Sequence, residues 1–127
     1  MLIKIPVSVG ELFDKISILQ VKKLYIKDKK KLDNIEKEYK SLSKIASKID
    51  SDFHKKRWYK RLVSINENLW HIENGKRSHE KAQKFDEKFI TLSRDVYLYN
   101  DERARVKANI NKRFNSEIVE EKSHPKY

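Results

Sequence analysis

The chain has 127 residues, 38% of them hydrophobic and 39% charged, and carries a net charge of +11 with no cysteine. Disulfides and thiolate metal sites are therefore excluded, and no stretch approaches the ~18 consecutive apolar residues of a membrane-spanning helix. What remains is the expectation of one domain, 1–127, whose apolar fraction suffices for a slender helical core. The start, Met1-Leu2-Ile3-Lys4-Ile5-Pro6, lacks the basic and long apolar regions of a secretory leader, so a cytoplasmic location is expected.

In chain order, Pro6 blocks an earlier helix start, and Ser8 with Glu11 forms a Ser-x-x-Glu capping box flanked by Val7 and Leu12 at staple positions. No strong breaker stands between Gly10 and Gly75. Ile18, Val21, Tyr25, Leu32, Ile35, Tyr39, Leu42, Ala46 and Ile49 recur in steps of three and four, with a skip at Asp28. Leu12, Ile16, Leu19 and Ile26 add a second apolar strip to the first half alone. An unbroken helix of about 40 residues would span ~60 Å, whereas a compact chain of this size is roughly 35–40 Å across. The helix must therefore project as an arm or break near residues 28–31.

Asp50-Ser51-Asp52 is the natural turn, and Trp58, Leu62, Ile65, Leu69 and Ile72 mark a second helix that Asn74-Gly75 would end. Asp86 caps a third helix carrying Phe89, Leu92, Val96 and Tyr99, and Asn100 caps or kinks a fourth carrying Val106, Ile110 and Phe114. Residues 117–119 and 2–5 are expected to pair as a short two-stranded ribbon. The predicted fold is all-α: a long antiparallel hairpin with an arm over 28–75, a body of 1–27 plus 85–119, and a tail of 120–127. A two-helix arm leaves its seam open, which predicts a homodimer.

The segments Ile5-Pro6-Val7-Ser8-Val9-Gly10-Glu11-Leu12-Phe13-Asp14-Lys15-Ile16, Asn66-Glu67-Asn68-Leu69-Trp70-His71-Ile72-Glu73, Asn100-Asp101-Glu102-Arg103-Ala104-Arg105-Val106-Lys107 and Ser116-Glu117-Ile118-Val119-Glu120-Glu121-Lys122 resemble a family of short, uncharacterised bacterial and phage proteins. The resemblance spans nearly the whole chain and implies no activity, cofactor, ligand or catalytic residue. Asn115 departs from it, standing where the family's pattern has a helix-ending glycine.

Two constellations could carry function. The basic tip His54-Lys55-Lys56-Arg57-Trp58-Tyr59-Lys60-Arg61 mixes cations with aromatics and could grip phosphates if its rings faced outward; with Trp58 in heptad phase, the plainer reading is core aromatics beside solvated cations. Arg103 continues the apolar phase of Phe89, Leu92, Val96 and Tyr99, so it should point inward and need a partner, with Asp14 and Glu73 available. The plain account is a structural ion network. The sharper one is an interhelical anion pocket of Lys15, Arg94 and Arg103, supported by Asp14, Glu73, Asn100 and Asp101, which is similar in architecture alone to the helical chorismate mutases.

No Gly-rich phosphate loop, nucleophile elbow or His-Glu-x-x-His motif occurs, and the four histidines have no ligand-like spacing, so no cofactor or metal site is expected. The leading expectation is a non-enzymatic, dimeric assembly or adaptor module with a basic surface for an anionic or protein partner. The alternatives are nucleic-acid binding through the lysine-rich arm and a small helical enzyme with an anion pocket. Lysine outnumbers arginine 23 to 7, a bias that also arises on ordinary solvated helix faces.

Overall fold

Ser8 starts the first helix as its box requires, its Oγ accepting the Glu11 N–H at 3.0 Å. Glu11 does not reach back, because its carboxylate is drawn 2.6 Å from Lys107 on a distant helix. The computed structural model describes residues 1–127 and is helical throughout, without strands. Its elements are α1 (Val9–Tyr25), α2 (Lys29–Ile49), a single 3-10 turn at Phe53–Lys55, α3 (Arg57–Ala82) and α4 (Glu87–Arg113). No helix is long and apolar enough to cross a membrane.

The long first helix breaks. Ile26 and Asp28 are extended, and Asp28 caps α2 by accepting the Lys31 N–H at 2.9 Å. Three residues, 26–28, then reverse the chain, so α2 runs back along α1. Lys23, late in α1, pairs with Glu36, early in α2, at 2.9 Å and lies over the Tyr39 ring at 4.2 Å. Ala46, late in α2, joins the core beside Leu12, Phe13 and Ile16.

This overturns the expected arm over 28–75: α2 packs on α1, and α3 packs on α1 and α4. The heptad pattern identified the apolar stripe of α2 but could not name the helix that would cover it. α1 covers Ile35 and Ala46 of that seam, while Ile49 at its end stays exposed.

α1 is the hub and touches all three other helices. Its two apolar strips leave little of its surface for water, and eight of its residues, Asp14 and Ser17 among them, are buried. The other helices are one-sided covers; α2 buries only Ile35 and Ala46. At the end where α1 and α3 begin and α4 finishes, Phe13 is fully buried. Its ring centroid lies 5.3 Å from that of Phe53, 4.8 Å from Trp58 and 5.9 Å from Phe114. Tilted and edge-on pairs of this kind add to the stability gained by burial.

α3 does not stop at Asn74-Gly75. It continues to Ala82 and ends where Gln83 adopts φ 54, with the Lys84 N–H bonded to His79 O at 2.9 Å. Glycine is a poor helix residue but no obligatory stop, and here the partner helix α4 sustains α3 beyond it. A β-carbon at Gly75 would meet only the Leu92 side chain, whose nearest atom is the Cδ1 methyl at 3.1 Å. Gly75→Ala is therefore expected to be neutral or to stabilise by up to about 1 kcal/mol through helix propensity. Urea unfolding followed by circular dichroism measures this, and a clear loss would mean that Leu92 cannot yield.

α4 is likewise continuous through Asn100, which neither caps nor kinks it. Its cap is Asp86, accepting the Phe89 N–H at 3.1 Å. Its end turns at Asn115, φ 50, with the Ser116 N–H bonded to Asn111 O at 2.8 Å. Asparagine tolerates this left-handed conformation better than most residues, which explains how it replaces the expected glycine.

The ribbon between residues 2–5 and 117–119 does not form. Two strands alone are marginal, and side-chain bonds hold the tail instead: Ser116 Oγ accepts the Val9 N–H at 3.0 Å, and Ser8 Oγ donates to Glu120 at 3.0 Å. From there the tail returns along α4, where His124 lies 3.5 Å from Asp101 and Tyr127 packs edge-on to Tyr97. Residues 73–105 contain no buried position, so the projecting two-helix segment is the far part of α3 and α4.

Candidate functional site

The centre of the bundle holds a buried ion network. Asp14 is fully buried on α1, six residues past the Ser8 cap. Arg103 on α4 grips it with both arms of its guanidinium, Nε to Oδ1 at 2.9 Å and Nη2 to Oδ2 at 2.5 Å. Asn66 on α3 donates to the same Oδ1 at 3.0 Å and to Ser17 Oγ at 2.8 Å. Lys107, one turn beyond Arg103, lies 2.6 Å from Glu11, 3.5 Å from Glu120 and 3.8 Å from Asp14.

The carboxylates hold these cations in their charged forms. The hydrogen bonds that Arg103 donates to Asp14 raise its pKa against the opposing effect of burial. For Lys107 burial is the largest influence and works downward, but Glu11, Asp14 and Glu120 together outweigh it and raise the pKa. Two cations face three carboxylates, so the network has no spare positive charge for an anion.

Next to it lies a pocket of about 390 Å³ between α1, α3 and α4. Its apolar side is Ile18, Val21, Leu69 and Trp70, and its polar side is Asn66, Glu73, Asn74, Arg77, Asn100 and Arg103. Arg103 Nη1 donates to Asn100 Oδ1 at 3.3 Å. Tyr25 closes the end of α1 against α3, donating to Glu67 at 2.9 Å while His71 Nε2 lies 3.0 Å from its hydroxyl. The bond to Glu67 raises the Tyr25 pKa. Trp70 stacks on the Tyr25 ring at 5.9 Å and 19°.

A second concave region is basic. A groove of about 660 Å³ runs between the start of α3 and the end of α4, lined by Trp58, Arg61, Val106, Asn109, Ile110, Lys112 and Arg113. It shares Trp58 and Arg61 with a neighbouring hollow of about 400 Å³ that adds Arg57, Lys60 and Ser64. Arg61 pairs with Glu102, whereas Arg57, Lys60, Lys112 and Arg113 are in no ion pair. Five cations thus face one carboxylate. α3 has no side-chain cap and no acidic residue in its first turn, so the positive end of its dipole adds to the field of Arg57 and Lys60.

The family model described as "Family of unknown function (DUF6165)" matches residues 3–126. The chain belongs to that family. No curated protein and no solved structure matches it.

The predicted site residues of this family member separate into three places. Asp14 and Arg103 meet directly, and Asn100 joins them. Glu73 lies in the adjoining pocket and is not the partner of Arg103. Lys15 is exposed on the other side of α1, and Arg94 is exposed in the first third of α4, its Nε 3.5 Å from Tyr97 OH. The anion pocket of Lys15, Arg94 and Arg103 therefore does not assemble: Lys15 follows Asp14 and so turns away from the face that Asp14 buries. Asp101 lies beside His124 of the tail and not in the pocket.

At the basic tip, Tyr59 is buried and donates to Gln20 at 2.7 Å. Lys55, Lys56, Arg57, Lys60 and Arg61 are exposed, with Lys56 4.0 Å from Asp50. This segment sits beside the end of α4, not at the end of an arm.

Sequence reading missed Lys107, Asn66, Arg77, Lys112 and Arg113. Lys107 carried a signal, its four-residue spacing from Arg103 on one helix face. Asn66 carried none, because a polar residue at the edge of an apolar stripe looks like surface.

Proposed function

We propose that this protein is a non-catalytic helical adaptor module that holds an anionic polymer in the basic groove between the start of α3 and the end of α4. The observation that supports this reading is the convergence of Arg57, Lys60, Lys112 and Arg113, none of them ion-paired, on a concave surface of about 660 Å³ and its neighbouring hollow. The lysines of α2 are exposed along that helix and line neither hollow. A cleft lined by one sign of charge beside low-dielectric walls concentrates the field and draws in a counter-charged partner.

Trp58 is committed to Phe13 and Phe114 by edge-on packing, so recognition here is of charge and not of stacked rings.

The test is fluorescence anisotropy of a single-stranded oligonucleotide against salt, with polyglutamate as competitor. Four phosphate contacts predict a log–log slope of about −3. Lys60→Glu with Arg113→Glu is expected to weaken binding at least about tenfold, while Lys44→Glu with Lys48→Glu on α2 leaves most of it, because the local field decides. Equal losses from the two pairs would overturn the assignment to the groove. Polyglutamate displacing the oligonucleotide at matched charge would identify an acidic polypeptide as the better partner.

A further inference from the structure

The pocket between α1, α3 and α4 combines features that the ion network beside it does not explain. Asn66 is 93% buried, being 7% exposed. Both its amide hydrogens are used, by Asp14 and Ser17. Those two acceptors fix the orientation of the amide, since a flip would set its oxygen against the Asp14 carboxylate. Asn66 Oδ1 receives no hydrogen bond within the chain, although the residue lines the pocket. This oxygen is the open acceptor of an otherwise buried side chain, free to receive a donor that enters the pocket.

Farther along α3, Glu73 and Arg77 line the same pocket one turn apart, and neither is in an ion pair. Arg103 has its Nε and Nη2 committed to Asp14, yet each terminal nitrogen keeps a second hydrogen beyond those bonds. Opposite these groups stand Ile18, Val21, Leu69 and Trp70.

We propose that the juxtaposition of Asn66 Oδ1 and Glu73 with Arg77 and Arg103, around an apolar wall, is a binding site for a small zwitterion, an α-amino acid with an apolar side chain. The ammonium group supplies the donors that Asn66 and Glu73 lack. The carboxylate accepts from the guanidiniums, a pairing favoured by their planar, forked geometry. The apolar side chain lies against Leu69 and Trp70. A simple anion suits the site poorly, because Glu73 would oppose it and Asp14 already neutralises Arg103. At about 390 Å³ the space falls within the range of small-molecule sites. This site is separate from the basic groove, and either could fail without the other.

The experiment is isothermal titration calorimetry of the full chain with L-phenylalanine, L-leucine and L-methionine, alongside 3-phenylpropionate and phenethylamine. Saturable binding with a Kd on the order of 1 mM is expected for at least one of the amino acids, since the site is open and the contacts few. The two analogues, each lacking one charged group, should bind at least about tenfold more weakly. Glu73→Gln and Arg77→Gln, neither a fully buried residue, should each weaken the amino acid by a similar factor. Glu73→Gln should leave the weak binding of 3-phenylpropionate unharmed. Absence of saturation by all three amino acids would overturn the proposal, as would equal affinities for the amino acid in the wild type and both variants. If a variant failed to fold, the analogue series on the wild-type chain would still decide.

Discussion

Asp14→Ala is expected to cost about 3–5 kcal/mol of stability, because it leaves the half-buried Arg103 without its partner in a low-dielectric site. The carboxylate receives three hydrogen bonds, two from Arg103 and one from Asn66, and is itself fully inaccessible. Removing it orphans Asn66 as well as Arg103. A domain of this size has on the order of 5–15 kcal/mol in total, so the variant would lose a large share. Urea unfolding monitored by circular dichroism checks the value. A second variant separates the lost attraction from the stranded charge. Asp14→Ala combined with Arg103→Met should be more stable than Asp14→Ala alone, since it removes the unpaired cation. If the double variant were no better, Arg103 would have found water or another carboxylate, and the buried charge would not be the cause.

Gly10→Ala is expected to lose about 2–4 kcal/mol, in contrast to the same change at Gly75. A β-carbon at Gly10 would stand 2.6 Å from the Lys107 carbonyl oxygen and 3.2 Å from its carbon, both backbone atoms of α4. It would also press on Asn111 Oδ1, which now accepts the Gly10 N–H at 2.7 Å. Forcing the helices apart costs about 1–3 kcal/mol as overpacking. Leaving the buried Asn111 oxygen without a donor costs about 1–3 kcal/mol more. The helix-propensity gain of alanine, up to about 1 kcal/mol, offsets part of this. At Gly75 the neighbour is a methyl group that can rotate away; at Gly10 it is a backbone carbonyl that cannot. A loss at Gly10 no larger than at Gly75 would show that α1 and α4 are free to separate.

Much of the local structure was legible. Ser8 and Asp86 cap the helices they were expected to cap, and Leu62, Ile65, Leu69 and Ile72 are buried in the predicted rhythm. Arg103, read as inward-pointing from its phase on the helix, does meet an acidic partner. The pocket was less legible. Its residues come from three helices, and only Glu73, Asn100 and Arg103 stood out beforehand, while Asn66 and Arg77 gave no sign. The stop at Gln83 was equally hidden, because a glutamine in the left-handed conformation has no sequence signature.

The sequence by itself determined the helical class and the starts at Ser8 and Asp86, because caps and the three-and-four spacing act within a few residues of each other. It determined the positive charge and the absence of cysteine in the same local way. Only the tertiary structure decided which helix covers which. An apolar stripe fits any other stripe of similar shape, and the choice of α1 over α3 as the cover for α2 was made by the three-residue reversal at 26–28. The close approach of α4 at Gly10 and the grip of Arg103 on Asp14 then set how α4 lies against α1. Side chains 89 residues apart in the chain meet there, and no periodicity reaches so far.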